Sequence, residues 1–121
     1  MASQVAGGKP GSEVINKGKF GADNKLLVPS KIRTLLWLQH EEDVVQTYVD
    51  KINRRVYIQK KDPHQFDEEE GELDREGPLI SGKYLYLTAS TRDKLWLELN
   101  DYVEYLTDPD NKHRFFIRRR D

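Results

Sequence analysis

The sequence predicts a mainly β domain with two short helices, built from two tandem copies of one unit. The segments 43–49 (DVVQTYV) and 54–60 (RRVYIQK) alternate polar and apolar residues and are rich in β-branched and aromatic side chains, as half-buried strands are. Adding 59 to the residue numbers places 26–61 over 85–120 without a gap. Eight of these 36 positions are identical, whereas average composition would give roughly two or three. The repeat therefore predicts an internal duplication.

The first unit contains a strand, a second strand, a short helix and a hairpin. In chain order these are a strand over 13–20, a turn over 22–24, a second strand over 25–29, a helix over 30–38 and a hairpin over 43–60. Pro29 closes the second strand, because proline disfavours a continuing strand and suits the first helical turn. The second half repeats this order. A unit of about 45 residues without a staple rarely closes a core by itself, so the two units are expected to share one.

The domain boundaries follow from shifts in composition. They are a disordered N-terminal arm over 1–12, the first unit over 13–61, an acidic linker over 62–77 and the second unit over 78–121, with 13–121 forming one compact domain. The arm is glycine-rich and polar, and the linker is long for a loop in a compact domain.

Composition excludes several classes of function. The chain has no cysteine and no run of about 18 apolar residues, and its three histidines are far apart, which argues against disulfides, a bilayer span and a metal site. No catalytic motif is present, so we expect a soluble intracellular domain that is not an enzyme and needs no cofactor. The net charge of −1 averages over separate blocks, which are +5 in 1–61, −7 in 62–77 and +1 in 78–121. Both predicted units are thus net basic.

The acidic tract, which runs from Asp67 to Asp74, has two interpretations. Its carboxylates lack the spacing of a calcium loop, so a solvated linker is the first. The second is a mimic of DNA that folds over a basic surface and competes with phosphate.

The stretch 18–61 resembles the swapped-hairpin AbrB/MazE/MraZ group of DNA-binding domains, and the likeness extends to about 40 residues of the second unit. The matching elements are Asn24-Lys25, Leu27-Val28-Pro29, Lys31-Ile32-Arg33, Leu36-Trp37-Leu38, Glu42-Asp43-Val44 and the hairpin to Ile58. In this family two units interleave into one barrel, and the MraZ branch carries both units on one chain. The resemblance therefore implies a tandem-repeat, swapped-hairpin AbrB-like barrel that is pseudo-dimeric.

The resemblance also implies a function. It describes a cytoplasmic, nucleoid-associated regulator of transcription that binds double-stranded DNA through basic turns and short helices. Carried over position by position, the DNA-binding residues are Lys19, Lys25, Lys31 and Arg33 in the first unit and Lys83, Arg92 and Lys94 in the second. The family forms dimers and larger rings, so self-association of this chain is left open.

Two repeated pairs of residues have alternative interpretations. Arg33 and Arg92 either contact phosphates or guanine edges, or pair with an acid such as Asp93 or Glu41. Trp37 and Trp96 are expected in the core, where tryptophan supplies a large buried area, and the alternative is a stacking platform for bases.

A second class of function stays open beside DNA binding. The chain could be a protein-interaction module, either antitoxin-like or a phage or viral protein that binds host machinery. The −7 tract and the many aromatic residues are compatible with this role. Salt separates the two, because binding that depends on phosphates weakens steeply as salt rises.

Overall fold

The computed structural model describes residues 11–61 and 71–120. The strands are β1 (Val14–Lys19), β2 (Lys25–Leu27), β3 (Val44–Asp50), β4 (Arg55–Lys60), β5 (Glu72–Pro78), β6 (Tyr84–Tyr86), β7 (Tyr102–Thr107) and β8 (Arg114–Arg119). The helices are α1 (Ser30–Leu35) and α2 (Ala89–Lys94), and a short 3₁₀ turn covers Ala22–Asn24. Nearly all of the predicted arm, and residues 62–70 of the predicted linker, lie outside the described residues.

Six of the strands form one antiparallel sheet in the order β1-β7-β8-β4-β3-β5, and β2 pairs with β6 in a separate ribbon. The prediction of a mainly β fold with two short helices is confirmed. The prediction of a closed barrel is wrong, because β1 and β5 end the sheet and no ladder joins them within 11–61 and 71–120. The three-residue strands β2 and β6 pair with each other over one face of the sheet instead of extending it.

The two halves of the chain exchange strands. The first strand of each half pairs with the hairpin of the other, so β1 lies against β7 and β5 against β3. At the centre of the sheet β4 pairs with β8, and Tyr57 lies opposite Phe116. In the ribbon Leu26 lies opposite Leu85. Both pairs join residues that are 59 apart, as expected if an approximate twofold axis passes through the sheet and the ribbon.

The structure corrects the gapless alignment in one region. Asp43 accepts the backbone N–H of Gln39, and Asp101 accepts that of Glu98, so these two carboxylates are equivalent at a spacing of 58. The loop of the second half is therefore one residue shorter here. The following hairpin turn is one residue longer, and this restores the spacing of 59 from β4 to β8. The two length differences cancel, which is why the sequence comparison shows no gap.

The two hairpin turns are closed by equivalent ion pairs. Asp50 pairs with Arg55 at 3.2 Å, and Asp108 pairs with Arg114 at 2.7 Å, both between oxygen and Nε. These buried pairs close equivalent turns in the two halves, although the gapless alignment places Asp50 over Pro109 instead.

The predicted acidic linker overlaps a strand. The sequence predicts a linker over 62–77, but its residues 72–77 form most of β5 and pair with β3. The polar sequence is tolerated because β5 is an edge strand whose acids lie near partners on the surface. Glu76 accepts hydrogen bonds from Lys61 and Gln46, and the Lys61 bond holds the pKa of Glu76 below its ordinary value. Of the acidic tract proposed as a DNA mimic, residues 67–70 lie outside the described residues, whereas Glu72 and Asp74 belong to β5.

The main core lies between the sheet and the ribbon, and both halves contribute to it. Its fully buried side chains include Phe20, Leu26, Ile32, Val56, Ile58, Leu87, Val103, Phe115 and Ile117. A smaller cluster of Tyr57, Leu106 and Phe116 lies on the other face of the sheet. Because each unit buries its apolar residues against the other, we expect the halves to unfold together.

Candidate functional site

The exposed face of the ribbon is the first candidate surface. Leu26 and Leu85 point into the core, so their neighbours along β2 and β6 point away from it. These neighbours include Leu27, which is 48% exposed, and Tyr84. The Lys25 ammonium lies 5.9 Å from the centroid of the Tyr84 ring. The ribbon therefore presents a cation and an aromatic ring at the approximate twofold axis.

Two further predicted lysines flank this ribbon. Lys83 directly precedes β6, and its carbonyl accepts the N–H of Val28, the residue after β2. Lys31 lies in the first turn of α1, three residues beyond Val28, and both lysine side chains are exposed. Lys25, Lys31 and Lys83 thus lie on or directly beside one short ribbon, and we call these three the ribbon lysines.

Tyr105 ties the ribbon to the sheet. Its side chain is buried in the core and its hydroxyl donates to the backbone carbonyl of Leu27. Burial raises the pKa of Tyr105 well above its ordinary value. A Cβ at Gly18 would lie 2.9 Å from the Tyr105 ring, so glycine is needed there for the edge strand to pass over the ring.

Each of the two repeated arginines donates a hydrogen bond to a turn in the other half of the chain. Arg33 donates from Nη1 to the carbonyl of Gly82 at 3.1 Å, and Arg92 donates from Nη1 to Oδ1 of Asn24 at 3.3 Å. Each bond crosses from the helix of one half to the turn before the ribbon strand of the other. Both guanidinium groups are partly buried. Neither Asp93 nor Glu41 takes the predicted pairing role in the described part of the chain, and the arginines position the backbone beside Lys83 and Lys25.

The remaining predicted site residues lie elsewhere. Lys19 ends the edge strand β1, with its ammonium 5.8 Å from the centroid of the Tyr102 ring. Lys94 ends α2, and its ammonium lies 4.0 Å from a carboxylate oxygen of Glu72. The structure therefore gathers three of the seven predicted residues, uses two to support turns and leaves two apart.

The prediction that both tryptophans lie in the core is wrong. Trp37 is 60% exposed and Trp96 is 57% exposed. Each stands just beyond its helix with a positive φ, 64° for Trp37 and 59° for Trp96, and this turns the ring out of the helical register. The sequence places them correctly at equivalent positions, but a helical periodicity extended to residue 38 assigns them to the wrong face.

The two tryptophans are candidate functional residues, although the sequence pattern predicts a packing role for them. The repeated string Leu-Trp-Leu directly after a six-residue helix was the available signal, because a chain leaving a helix often passes through a left-handed residue there. A bulky exposed residue in that conformation at both equivalent places indicates a role other than packing.

Comparison with protein-family models, curated proteins and solved structures finds no match to this chain. Within residues 11–61 and 71–120, no helix is long and apolar enough to cross a bilayer. The same residues contain no group of three or more histidine, aspartate or glutamate side chains placed to hold a metal ion.

Proposed function

We propose that this chain is a DNA-binding regulator of transcription of the AbrB-like type, with two tandem swapped-hairpin units that clasp each other. The exchange of β1 and β5 between the halves supports the swapped-hairpin assignment. On this proposal the protein is a binding protein rather than an enzyme and acts at the nucleoid in the cytoplasm.

The observation that carries the proposal is the set of ribbon lysines on and directly beside β2 and β6. A two-stranded antiparallel ribbon can enter the major groove of B-DNA. The two halves contribute this charge unequally, because the positions 59 away from the three lysines hold Tyr84, Ser90 and Asn24. Lys25, Lys31 and Lys83 would contact phosphates, and Tyr84 would lie between them at the groove. The proposal gives Arg33 and Arg92 a positioning role, because they hold the turns next to Lys83 and Lys25.

A mobility-shift titration with mixed-sequence duplex DNA tests this function. The test variant is the triple substitution Lys25→Gln, Lys31→Gln, Lys83→Gln, measured at about 50 mM and about 200 mM salt. Each lost phosphate contact should reduce the slope of log affinity against log salt by about 0.9, so the triple variant should bind more weakly with a slope shallower by about 2.7.

The matched control removes the same charge elsewhere. Lys17 in β1 and Lys51 and Lys112 in the hairpin turns are exposed lysines that belong to neither β2, β6 nor α1. Their replacement by glutamine should change binding much less. Equal weakening by the two triple variants would contradict a ribbon site, and undiminished binding by the ribbon variant would contradict the proposal altogether.

A protein-interaction module is the second candidate function. It is favoured by exposed apolar side chains, since Ile52 is 86% exposed and Leu99 is 52% exposed. As an antitoxin-like protein, or as a phage or viral protein that binds host machinery, the chain would hold its partner through such residues, and that partner would stay bound at physiological salt. Absence of duplex binding at low salt, together with a partner retained at physiological salt, would favour this alternative.

A further inference from the structure

Both halves place a tryptophan where the backbone favours glycine. After α1 the N–H of Trp37 donates to the carbonyl of Thr34, and the N–H of Leu38 donates to the carbonyl of Arg33. This pair of hydrogen bonds is the Schellman ending of a helix, whose left-handed residue is usually glycine. Trp96 has the same arrangement after α2, with its N–H bonded to the carbonyl of Asp93.

Burial does not account for these tryptophans, because more than half of each side chain is exposed. Each ring is nevertheless held in place by the hairpin turn of the other half. The Trp37 ring lies 3.7 Å from that of His113 between centroids, and the Arg54 guanidinium carbon lies 3.4 Å from the centroid of the Trp96 ring. Arg54 and His113 are 59 residues apart, so the two arrangements are equivalent.

A cation also stands beside each tryptophan. Lys60 donates from Nζ to the carbonyl of Trp37 at 3.1 Å, and Arg119 donates from Nη1 to the carbonyl of Trp96 at 3.2 Å. Carboxylate oxygens of Asp43 and Asp101 lie 3.7 Å and 3.6 Å from these cations. An ammonium has three donors and a guanidinium five, so each cation keeps donors for a further acceptor.

A fixed, exposed aromatic ring next to a cation is suited to a nucleotide. The ring can stack on a base, and the cation can bind the adjoining phosphate. A base paired and stacked within a duplex does not offer its face to such a ring. We propose that Trp37 and Trp96 are two equivalent stacking sites for unpaired bases of a single strand, with Lys60 and Arg119 binding the phosphate next to each base.

This inference goes beyond the proposed duplex binding and uses different residues. The ribbon lysines belong to β2, α1 and the residue before β6, whereas the tryptophan sites lie where the helix ends meet the hairpin turns. The two proposals can therefore fail separately.

Tryptophan fluorescence tests the stacking sites directly, because Trp37 and Trp96 are the two tryptophans of the chain. The probe is a single-stranded DNA of about 12 nucleotides, and its partner is the same strand with abasic sites throughout. The intact strand should quench the emission and the abasic strand should not. Trp37→Leu and Trp96→Leu each leave one reporter, and each should weaken binding of the intact strand about tenfold.

The controls separate stacking from charge and from folding. Tyr102→Leu removes an exposed aromatic ring that also lies near a lysine, and it should bind the intact strand like the parent. Far-ultraviolet circular dichroism checks that each variant is folded. Trp37→Phe and Trp96→Phe each keep a stacking ring and should retain most of the affinity that the leucine variants lose.

Two results would overturn the stacking sites. One is an equal response to the intact and abasic strands, which would leave only phosphate binding. The other is no quenching by the intact strand at low salt. Quenching that persists in the ribbon triple variant would support the stacking sites whatever that variant does to duplex binding.

Discussion

The left-handed tryptophans lead to a stability prediction of unusual sign. At an exposed site within a helix, alanine is more stabilising than glycine by about 0.5–1 kcal/mol. At position 37 the order should reverse, because φ is 64° and a side chain with a Cβ is disfavoured there. We therefore expect Trp37→Gly to be more stable than Trp37→Ala.

The size of the effect follows from opposing contributions. Left-handed backbone costs a non-glycine residue roughly 1–2 kcal/mol, and glycine loses about 0.4–1 kcal/mol more through its freer unfolded chain. The net advantage of Trp37→Gly is then about 0.5–1 kcal/mol. Both variants also lose the buried two-fifths or so of the indole, about 100 Å² and about 2.5 kcal/mol, and this loss cancels in the comparison.

Urea unfolding followed by far-ultraviolet circular dichroism measures the difference. With a slope typical of small domains, the midpoint of Trp37→Gly should exceed that of Trp37→Ala by about 0.5 M. Lys31 gives the matched control, since it is exposed within α1 and Lys31→Ala should be the more stable of its pair. An alanine variant as stable as the glycine variant at position 37 would refute the left-handed assignment.

Three further predictions concern the stability of the hairpin turn and the change in protein stability at acidic and at alkaline pH. Asp108→Ala should lower the free energy of unfolding by about 3 kcal/mol, because it removes the buried carboxylate that lies 2.7 Å from Nε of Arg114. Urea unfolding measures this loss. A loss under about 1 kcal/mol, which is typical of a surface ion pair, would contradict the prediction. Two backbone N–H donors hold the pKa of Asp43 below its ordinary 3.8, so its stabilisation is present above about pH 4 and is lost as pH falls further. As the pH falls below about 4, the urea midpoint of Asp43→Asn should therefore decrease less than that of the parent. An equal decrease in the two proteins would contradict a stabilising role for the Asp43 carboxylate. Burial raises the pKa of Tyr105 above its ordinary 10.0, so the parent should lose stability above about pH 10. Tyr105→Phe should lack this alkaline loss and should be about 1 kcal/mol less stable at neutral pH, because it lacks the hydroxyl hydrogen bond. An identical alkaline decline in both proteins would contradict a buried Tyr105 hydroxyl.

Much of the fold could be predicted because its signals are local or repeated. The alternation in 43–49 and 54–60 predicts β3 and β4, and Pro29 marks the start of α1 within one residue. The spacing of 59 identifies equivalent residues across most of the two halves. These features depend on backbone preferences and on side-chain period, which a single sequence carries.

Strand β5 was missed because its local composition disagrees with its structure. Glu72, Asp74 and Glu76 lower the apparent propensity for a strand, and the pairing with β3 is a long-range contact that composition does not reveal. Extending the repeat toward the N-terminus would have found it, since adding 59 to Val14–Lys19 gives 73–78.

The open sheet and the surface position of the tryptophans were harder to predict. Two short strands can either join a larger sheet or pair with each other over its face. Tertiary packing decides between these arrangements, and the sequences of β2 and β6 alone do not indicate which one forms. The exposure of Trp37 depends on a single left-handed residue, which reverses the direction of the side chain relative to the helical pattern. The basic residues could be identified by type, but only the structure separates Lys25 on the ribbon and Lys83 directly beside it from Lys19 on the edge strand.

The most direct test of duplex binding is an NMR titration of backbone amide shifts with a mixed-sequence duplex at low salt. We expect the largest shifts at β2, β6 and the first turn of α1, on both sides of the approximate twofold axis. Large shifts confined to the edge strands β1 and β5, with β2 and β6 unchanged, would contradict it.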